Sequence, residues 1–241
     1  MIVLYTDFSV QGPYVGQMKS VLQQRAPQHA VIDLMHDAPA FNPKASGYLL
    51  NALRHHLPLG SVILGVVDPG VGQVARRPVI VDADGCWYIG PDNGLFEIIV
   101  TTSTSVQCWE ITWRPEHLSN SFHGRDLFAP VAAAIAQGQS LASVASPLTS
   151  LLLQHWPTDL AEIIYIDHYG NCMTGMRSNL STDTIIRIAK NEFGFARTFT
   201  EVQEGKAFWY VNSIGLIALA INRGDFSRRY HCQLGQAIEM S

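Results

Sequence analysis

Two apolar runs, each closed by an aspartate, set the limits on how this chain folds. Ile2-Val3-Leu4-Tyr5 gives way to Thr6-Asp7, and the run from Ser61 to Val67 gives way to Asp68. Neither run alternates polar with apolar residues, so each reads as a strand covered on both faces, the pattern of a parallel sheet. The segments between them have helical spacing. Gly12-Pro13 opens one in which Tyr14, Val15, Met18, Val21 and Leu22 share a face; Asn42-Pro43 opens another along Ala45, Tyr48, Leu49, Ala52 and Leu53. Ala30 to Leu34, Pro78 to Val81, Cys86 to Ile89 and Val106 to Ile111 read as further strands, and Phe128 to Ala136 as an alanine-rich helix. Strands alternating with helices predict an α/β domain with a largely parallel central sheet. Such sheets hold ligands at the carboxyl ends of their strands, where Asp7 and Asp68 fall.

Beyond residue 155 the helical spacing stops. Glu162 to Ile166, Thr184 to Ala189, Ala207 to Val211 and Leu216 to Ile221 are strand-like, with one short helix expected near Asp225 to Tyr230. This predicts a smaller, mostly β second domain. The prolines, serines and threonines of Ser146 to Thr158 read as the linker, placing the domains at 1–150 and 159–241.

A chain of 241 residues suits one large or two small domains. Its charged fraction of 15% is below the usual ~25%, which points to apolar surface covered by partner subunits. A net charge of −4 argues against a nucleic-acid binder. No apolar run approaches the ~18 residues of a membrane span, and the first ten residues read as a strand rather than a secretion signal. Cys86, Cys108, Cys172 and Cys232 form no CxxC pair, so they read as reduced thiols in a cytoplasmic protein.

The chemistry concentrates in a few stretches. In Val67-Asp68-Pro69-Gly70-Val71-Gly72-Gln73-Val74-Ala75-Arg76-Arg77-Pro78, Gly70, Gly72 and Ala75 match the dinucleotide fingerprint. That fingerprint must open a helix, and Pro78 with another strand follows instead, so the glycines serve a tight turn against a ligand. Asp68 and the arginines form either a surface salt bridge or an Arg–carboxylate pair within a pocket. Gly90-Pro91-Asp92-Asn93-Gly94-Leu95 reads first as a turn. In Ser121-Phe122-His123-Gly124-Arg125-Asp126, His123 and Asp126 have no third metal ligand at a recognisable spacing. Asp7 either caps a turn or holds a sugar diol. Tyr165-Ile166-Asp167-His168-Tyr169-Gly170-Asn171 reads by itself as a hairpin turn.

Taken in order, Thr6-Asp7-Phe8, Tyr14-Val15-Gly16-Gln17-Met18-Lys19, Val67 to Gly72, Gly90 to Leu95, Phe122 to Asp126, Asp167 to Asn171 and Asn212-Ser213-Ile214-Gly215 resemble the S-adenosylmethionine hydroxide adenosyltransferases, relatives of the chlorinases and fluorinases. The resemblance implies a barrel-like C-terminal domain and a homotrimer with each site between one subunit's N-terminal domain and a neighbour's C-terminal domain. It also implies hydrolysis of S-adenosylmethionine to adenosine and methionine with no cofactor and no metal. The water-activating trio maps onto Asp68, Arg76 and His123, with Arg77 an alternative to Arg76 because the preceding loop is one residue longer than usual. Asp7 would take the ribose hydroxyls, Phe41 the sugar or sulfonium, Asp167 the methionine ammonium, Tyr169 and Asn171 the adenine, and Ser213 a further polar contact. Gly12 stands where the family usually has an acidic residue, and Ser9 where it has glycine.

Three other functions compete. The halogenating relatives carry an aromatic in place of Asp68 and lack the histidine, so this pairing favours water over halide. A non-catalytic store or sensor of the same ligand is the second alternative, and a nucleotide-dependent dehydrogenase the outside one.

Overall fold

The computed structural model describes residues 1–73 and 76–241. In chain order its elements are β1 (Ile2–Thr6), α1 (Tyr14–Arg25), β2 (Val31–Met35), α2 (Pro43–Arg54), β3 (Val62–Val66), β4 (Pro78–Ala83), β5 (Cys86–Pro91), α3 (Glu97–Thr102), β6 (Val106–Ile111), α4 (Ala129–Ala136), β7 (Ala145–Leu148), β8 (Leu160–Ile166), β9 (Cys172–Arg177), β10 (Ile186–Ile188), β11 (Asn191–Phe193), β12 (Ala207–Val211), β13 (Leu216–Ile221), α5 (Phe226–Tyr230) and β14 (Glu239–Met240). Two compact units result: Met1–Gly47 with His56–Trp156, and Tyr48–His55 with Pro157–Ser241. Val74 and Ala75, the latter closing the fingerprint match, lie outside the described residues.

The first unit is built on a seven-stranded sheet of order β2-β1-β3-β5-β4-β6-β7. β2, β1, β3 and β5 pair in parallel, while β4 and β7 run against their neighbours, so the sheet is mixed though largely parallel. Every residue of β1 and β3 is buried, which is why their runs carry no polar alternation. The register sets Thr6 beside Val66, so Asp7 and Asp68 leave adjacent strands at the same end. α4 is apolar on all sides and buried along almost its whole length, packed against α1, β1 and β3. It is entered through a turn of π-helix, Gly124–Phe128, which begins the coil earlier than the expected start at Phe128.

The expected linker is only partly free chain. β7 takes Ala145–Leu148 as an edge strand, a position that tolerates Pro147. Leu152 N then donates to Asp92, and Gln154 N and Trp156 N donate to the buried carboxylate of Glu97. Backbone donors that composition assigns to solvent are thus satisfied by two buried acids.

The second unit holds a four-stranded antiparallel sheet, β12-β13-β9-β8, and a three-stranded one, β11-β10-β14. Single bridges, Glu162 with Ala237 and Phe195 with Trp209, link their edges. Ile163, Cys172, Ile186, Phe193, Trp209, Ile217, Leu219 and Phe226 form the core between them. Asp225 caps α5 by accepting from Arg228 N at 2.8 Å. Among the described residues, no helix is long and apolar enough to cross a membrane.

Candidate active site

In the first unit the carboxyl ends of β1, β2 and β3 bring Asp7, Phe41 and Asp68 onto neighbouring loops. The Asp68 side chain is 4% exposed, and its Oδ1 accepts from Gly70 N at 3.1 Å and Arg76 Nη1 at 2.6 Å. This is a short charge-assisted bond at the edge of a shielded site. Arg77 turns elsewhere: its Nε and Nη2 both donate to Asp92, at 3.0 and 2.6 Å. The two adjacent arginines are therefore sorted, and Arg76 is the one on Asp68. Gly70 makes this possible, because a Cβ there would lie 2.9 Å from the Arg76 guanidinium carbon. Gly72 has φ +84°, and its Cβ would meet Asn120 O at 2.6 Å, so the Asp68 loop rests directly on the loop leading to His123.

Asp7 lies half-buried, with Oδ2 accepting from Phe41 N at 3.0 Å. Burial pushes its carboxyl above the ordinary value; the Phe41 bond opposes the shift, and the negative charge of Asp68 adds to it. Phe41 has φ +58° and is 77% exposed, a backbone conformation costly for a non-glycine residue that leaves the ring in solvent beside Asp7.

His123 immediately precedes the π-turn and is half-buried. Among the described residues its ring has no hydrogen-bond partner, and no bond joins it to Asp68 or Arg76. Its loop is anchored by three rings: Phe8, Tyr14 and Phe122 stand with centroids 5.2–5.9 Å apart. Arg125 grips Asp126 through Nε and Nη2 and reaches Gln17 Oε1 at 2.7 Å. That guanidinium holds the Asp126 carboxyl below its usual range, helped by Ser119 N–H and by the neighbouring His123, against the opposing effect of burial.

In the second unit, Asp167 organises its turn. Oδ1 accepts from Tyr169 N and Asn171 N at 2.9 Å, and Oδ2 from Asn171 Nδ2 at 2.8 Å. The Asn171 amide is thus already engaged, whereas the Tyr169 side chain stands in solvent, the residue being 74% exposed. These residues line a hollow of about 530 Å³ with Phe199, Tyr210, Ile221, Arg223 and Gly224. Burial, then the charge of Asp167, pushes the Tyr210 phenol up. Sequence reasoning missed Phe199, Tyr210 and Arg223; the run of three aromatics Phe208-Trp209-Tyr210 is the available signal for Tyr210. Ser213 lies exposed in the turn between β12 and β13, at the opposite end of β13 from Ile221, and does not line this hollow.

Residues 2–145 match the family model described as SAM hydroxide adenosyltransferase N-terminal domain, and residues 161–239 the one described as SAM hydroxide adenosyltransferase C-terminal domain. The chain is 34% identical to an (R)-S-adenosyl-L-methionine hydrolase of Thermus thermophilus, across 99% of this chain and 98% of that protein. A fluorinase of Actinopolyspora mzabensis is 24% identical across 100% and 97%. A solved structure of an uncharacterized conserved protein from Thermotoga maritima superposes with a TM-score of 0.92 at 29% identity, covering 100% of this chain and 99% of that one.

Proposed function

This chain belongs to the SAM hydroxide adenosyltransferase family, and we propose that it hydrolyses S-adenosyl-L-methionine to adenosine and L-methionine. Water attacks C5′ of the ribose, the C5′–sulfur bond breaks, and its electron pair leaves with methionine as a neutral thioether. The proton lost by water passes to a base and then to solvent. A sulfonium leaves without protonation, so the barrier lies in the nucleophile, because free water has a pKa of about 15.7.

The observation that carries the reading is the Asp68–Arg76 pair in the loop that leaves the carboxyl end of β3, beside that of β1. In this reading the pair orients the water and stabilises its developing negative charge, and His123 on the adjoining loop accepts the proton. A positioned base is worth about 10²–10⁴-fold, and in-line placement adds to it. Asp7 takes the ribose hydroxyls and Phe41 covers the sugar or sulfonium. In the second unit, Tyr169 and Asn171 receive the adenine. Three of roughly four acceptor positions on Asp167 are used within its own turn, which leaves one for the methionine ammonium. Ser213 supplies a polar contact from the β12–β13 turn.

The same reading extends to assembly. The chain acts as a cytoplasmic homotrimer in which a neighbour's C-terminal unit completes each site; the exposed rings of Phe41 and Tyr169 and the free cysteines support it. The C-terminal unit is barrel-like, a reading supported by the two bridges between its sheets.

The experiment is product analysis with purified protein and S-adenosyl-L-methionine in the presence and absence of chloride and fluoride. Adenosine and methionine in equal amounts, unchanged by halide, support the reading. A 5′-halogenated nucleoside would make the chain a halogenase, and binding without turnover over hours would make it a store.

A further inference from the structure

His36 follows β2 directly and is 4% exposed, beneath the loop that carries Asp7. Its Nε2 lies 3.1 Å from Asp33 Oδ1 and its Nδ1 2.8 Å from Thr6 Oγ1. An ionised carboxylate only accepts hydrogen bonds, so Nε2 carries a proton, and in the neutral ring Nδ1 then accepts. The Thr6 hydroxyl therefore donates to Nδ1, and its oxygen in turn receives Phe8 N–H at 3.4 Å. The other oxygen of Asp33 is held by Lys19 Nζ at 2.9 Å. With the imidazole neutral, the bonds run in one sense, from Phe8 N–H through Thr6 and His36 to Asp33.

The backbone closes around the same groups. Ser9 N donates to His36 O at 2.6 Å, and Ala38 N to Thr6 O at 3.1 Å. Asp7 is the residue enclosed between Thr6 and Phe8. Its outer support, Lys19 with Asp33, is solvent-exposed and energetically weak. The inner part, Thr6 and His36, is buried, and a valine and a leucine in their place would leave Phe8 N–H and Asp33 without these partners. A buried, fully paired polar chain selects one conformation where an apolar filling would not.

We propose that Thr6, His36 and Asp33 are positioning residues for Asp7. Their directed hydrogen bonds fix the Thr6–Phe8 backbone so that the Asp7 carboxylate faces a ribose diol, and discrimination against a 2′-deoxyribose depends on them. The inference rests on the reading that Asp7 takes the ribose hydroxyls.

The test compares adenosine with 2′-deoxyadenosine by calorimetric binding, which needs no turnover, in the wild type and in Thr6→Val, Thr6→Ser and His36→Asn. Thr6→Val keeps the shape and removes the hydroxyl; Thr6→Ser keeps the hydroxyl; His36→Asn places an amide oxygen near the position of Nδ1. The wild type should prefer adenosine by about tenfold or more, the size of one charge-assisted hydrogen bond. Thr6→Val should lose most of that preference, Thr6→Ser should keep it, and His36→Asn, which keeps an acceptor for Thr6 but loses the bond to Asp33, should keep part of it. If Thr6→Val lowers the melting temperature but weakens both nucleosides equally, the network merely stabilises the fold and the inference fails. It fails also if the wild type binds the two nucleosides alike. Absence of S-adenosylmethionine hydrolysis alongside an intact adenosine preference would overturn the proposed function and leave this inference standing.

Discussion

Arg76 Nη1 lies 2.6 Å from Asp68 Oδ1, in a pair whose carboxylate is almost wholly shielded from solvent. The neighbouring Arg77 is committed to Asp92, so the two guanidiniums have separate tasks.

Arg76→Ala is expected to lower kcat by about 10²–10³-fold, the usual loss when a donor to developing negative charge is removed, with a much smaller change in KM. Arg77→Ala should act on stability instead. Among the described residues it leaves the buried Asp92 side chain with the Leu152 N–H alone, and the melting temperature should fall. Steady-state kinetics and denaturant unfolding of both variants separate the two outcomes.

Gly70→Ala should reproduce the Arg76 defect without touching a charge. The added methyl would displace the guanidinium from Asp68, so kcat should fall at least tenfold while Arg76→Ala, Gly70→Ala together should be no worse than Arg76→Ala. Additive losses in that double variant would show that Gly70 acts elsewhere.

Asp7 carries a stability cost that depends on pH. Its folded-state pKa lies above the ordinary value of 3.8, chiefly because of burial. Protonation therefore favours the folded state: the contribution is fully present below 3.8 and is lost as pH rises through the folded value. Asp7→Asn, which keeps an acceptor for Phe41 N–H, should melt higher than the wild type at pH 7. The gap should close as pH falls toward 3.8, and adenosine binding should weaken throughout. Calorimetric melting from pH 3.5 to 7 checks the sign.

Tyr169→Ala should weaken adenosine binding by about 10–100-fold, since stacking on an aromatic face contributes about 1–3 kcal/mol. Tyr169→Phe should bind as the wild type does. Asn171→Ala should behave differently, lowering the melting temperature as well, because its amide is part of the Asp167 turn. Titration calorimetry with thermal unfolding distinguishes the pair.

The strands most readable in the sequence were those buried on both faces. Val62-Ile63-Leu64-Gly65-Val66 has no polar residue to confuse the pattern, and all of it lies inside. β9 was not legible, because Thr174 and Gly175 interrupt its apolar run. Both have tertiary reasons: Thr174 donates to Ile217 O at 2.8 Å, and Leu160 packs where a side chain on Gly175 would stand. The helix at Glu97 was equally hidden, since a buried carboxylate makes sense only once Gln154 and Trp156 return to it. Spacing gave Arg76 and Arg77 equal claim on Asp68; their separation depends on the room left by Gly70, a property of the folded loop. His36 drew no attention for a similar reason. A single histidine after a strand acquires meaning only from Thr6 beside it in the sheet and Asp33 three residues behind.

Turnover of S-adenosyl-L-methionine in water enriched in oxygen-18 tests the central claim most directly. The account predicts one heavy oxygen in each adenosine molecule, at the 5′ position, and none in methionine. Adenosine free of label, or label carried into methionine, would contradict attack by water at C5′.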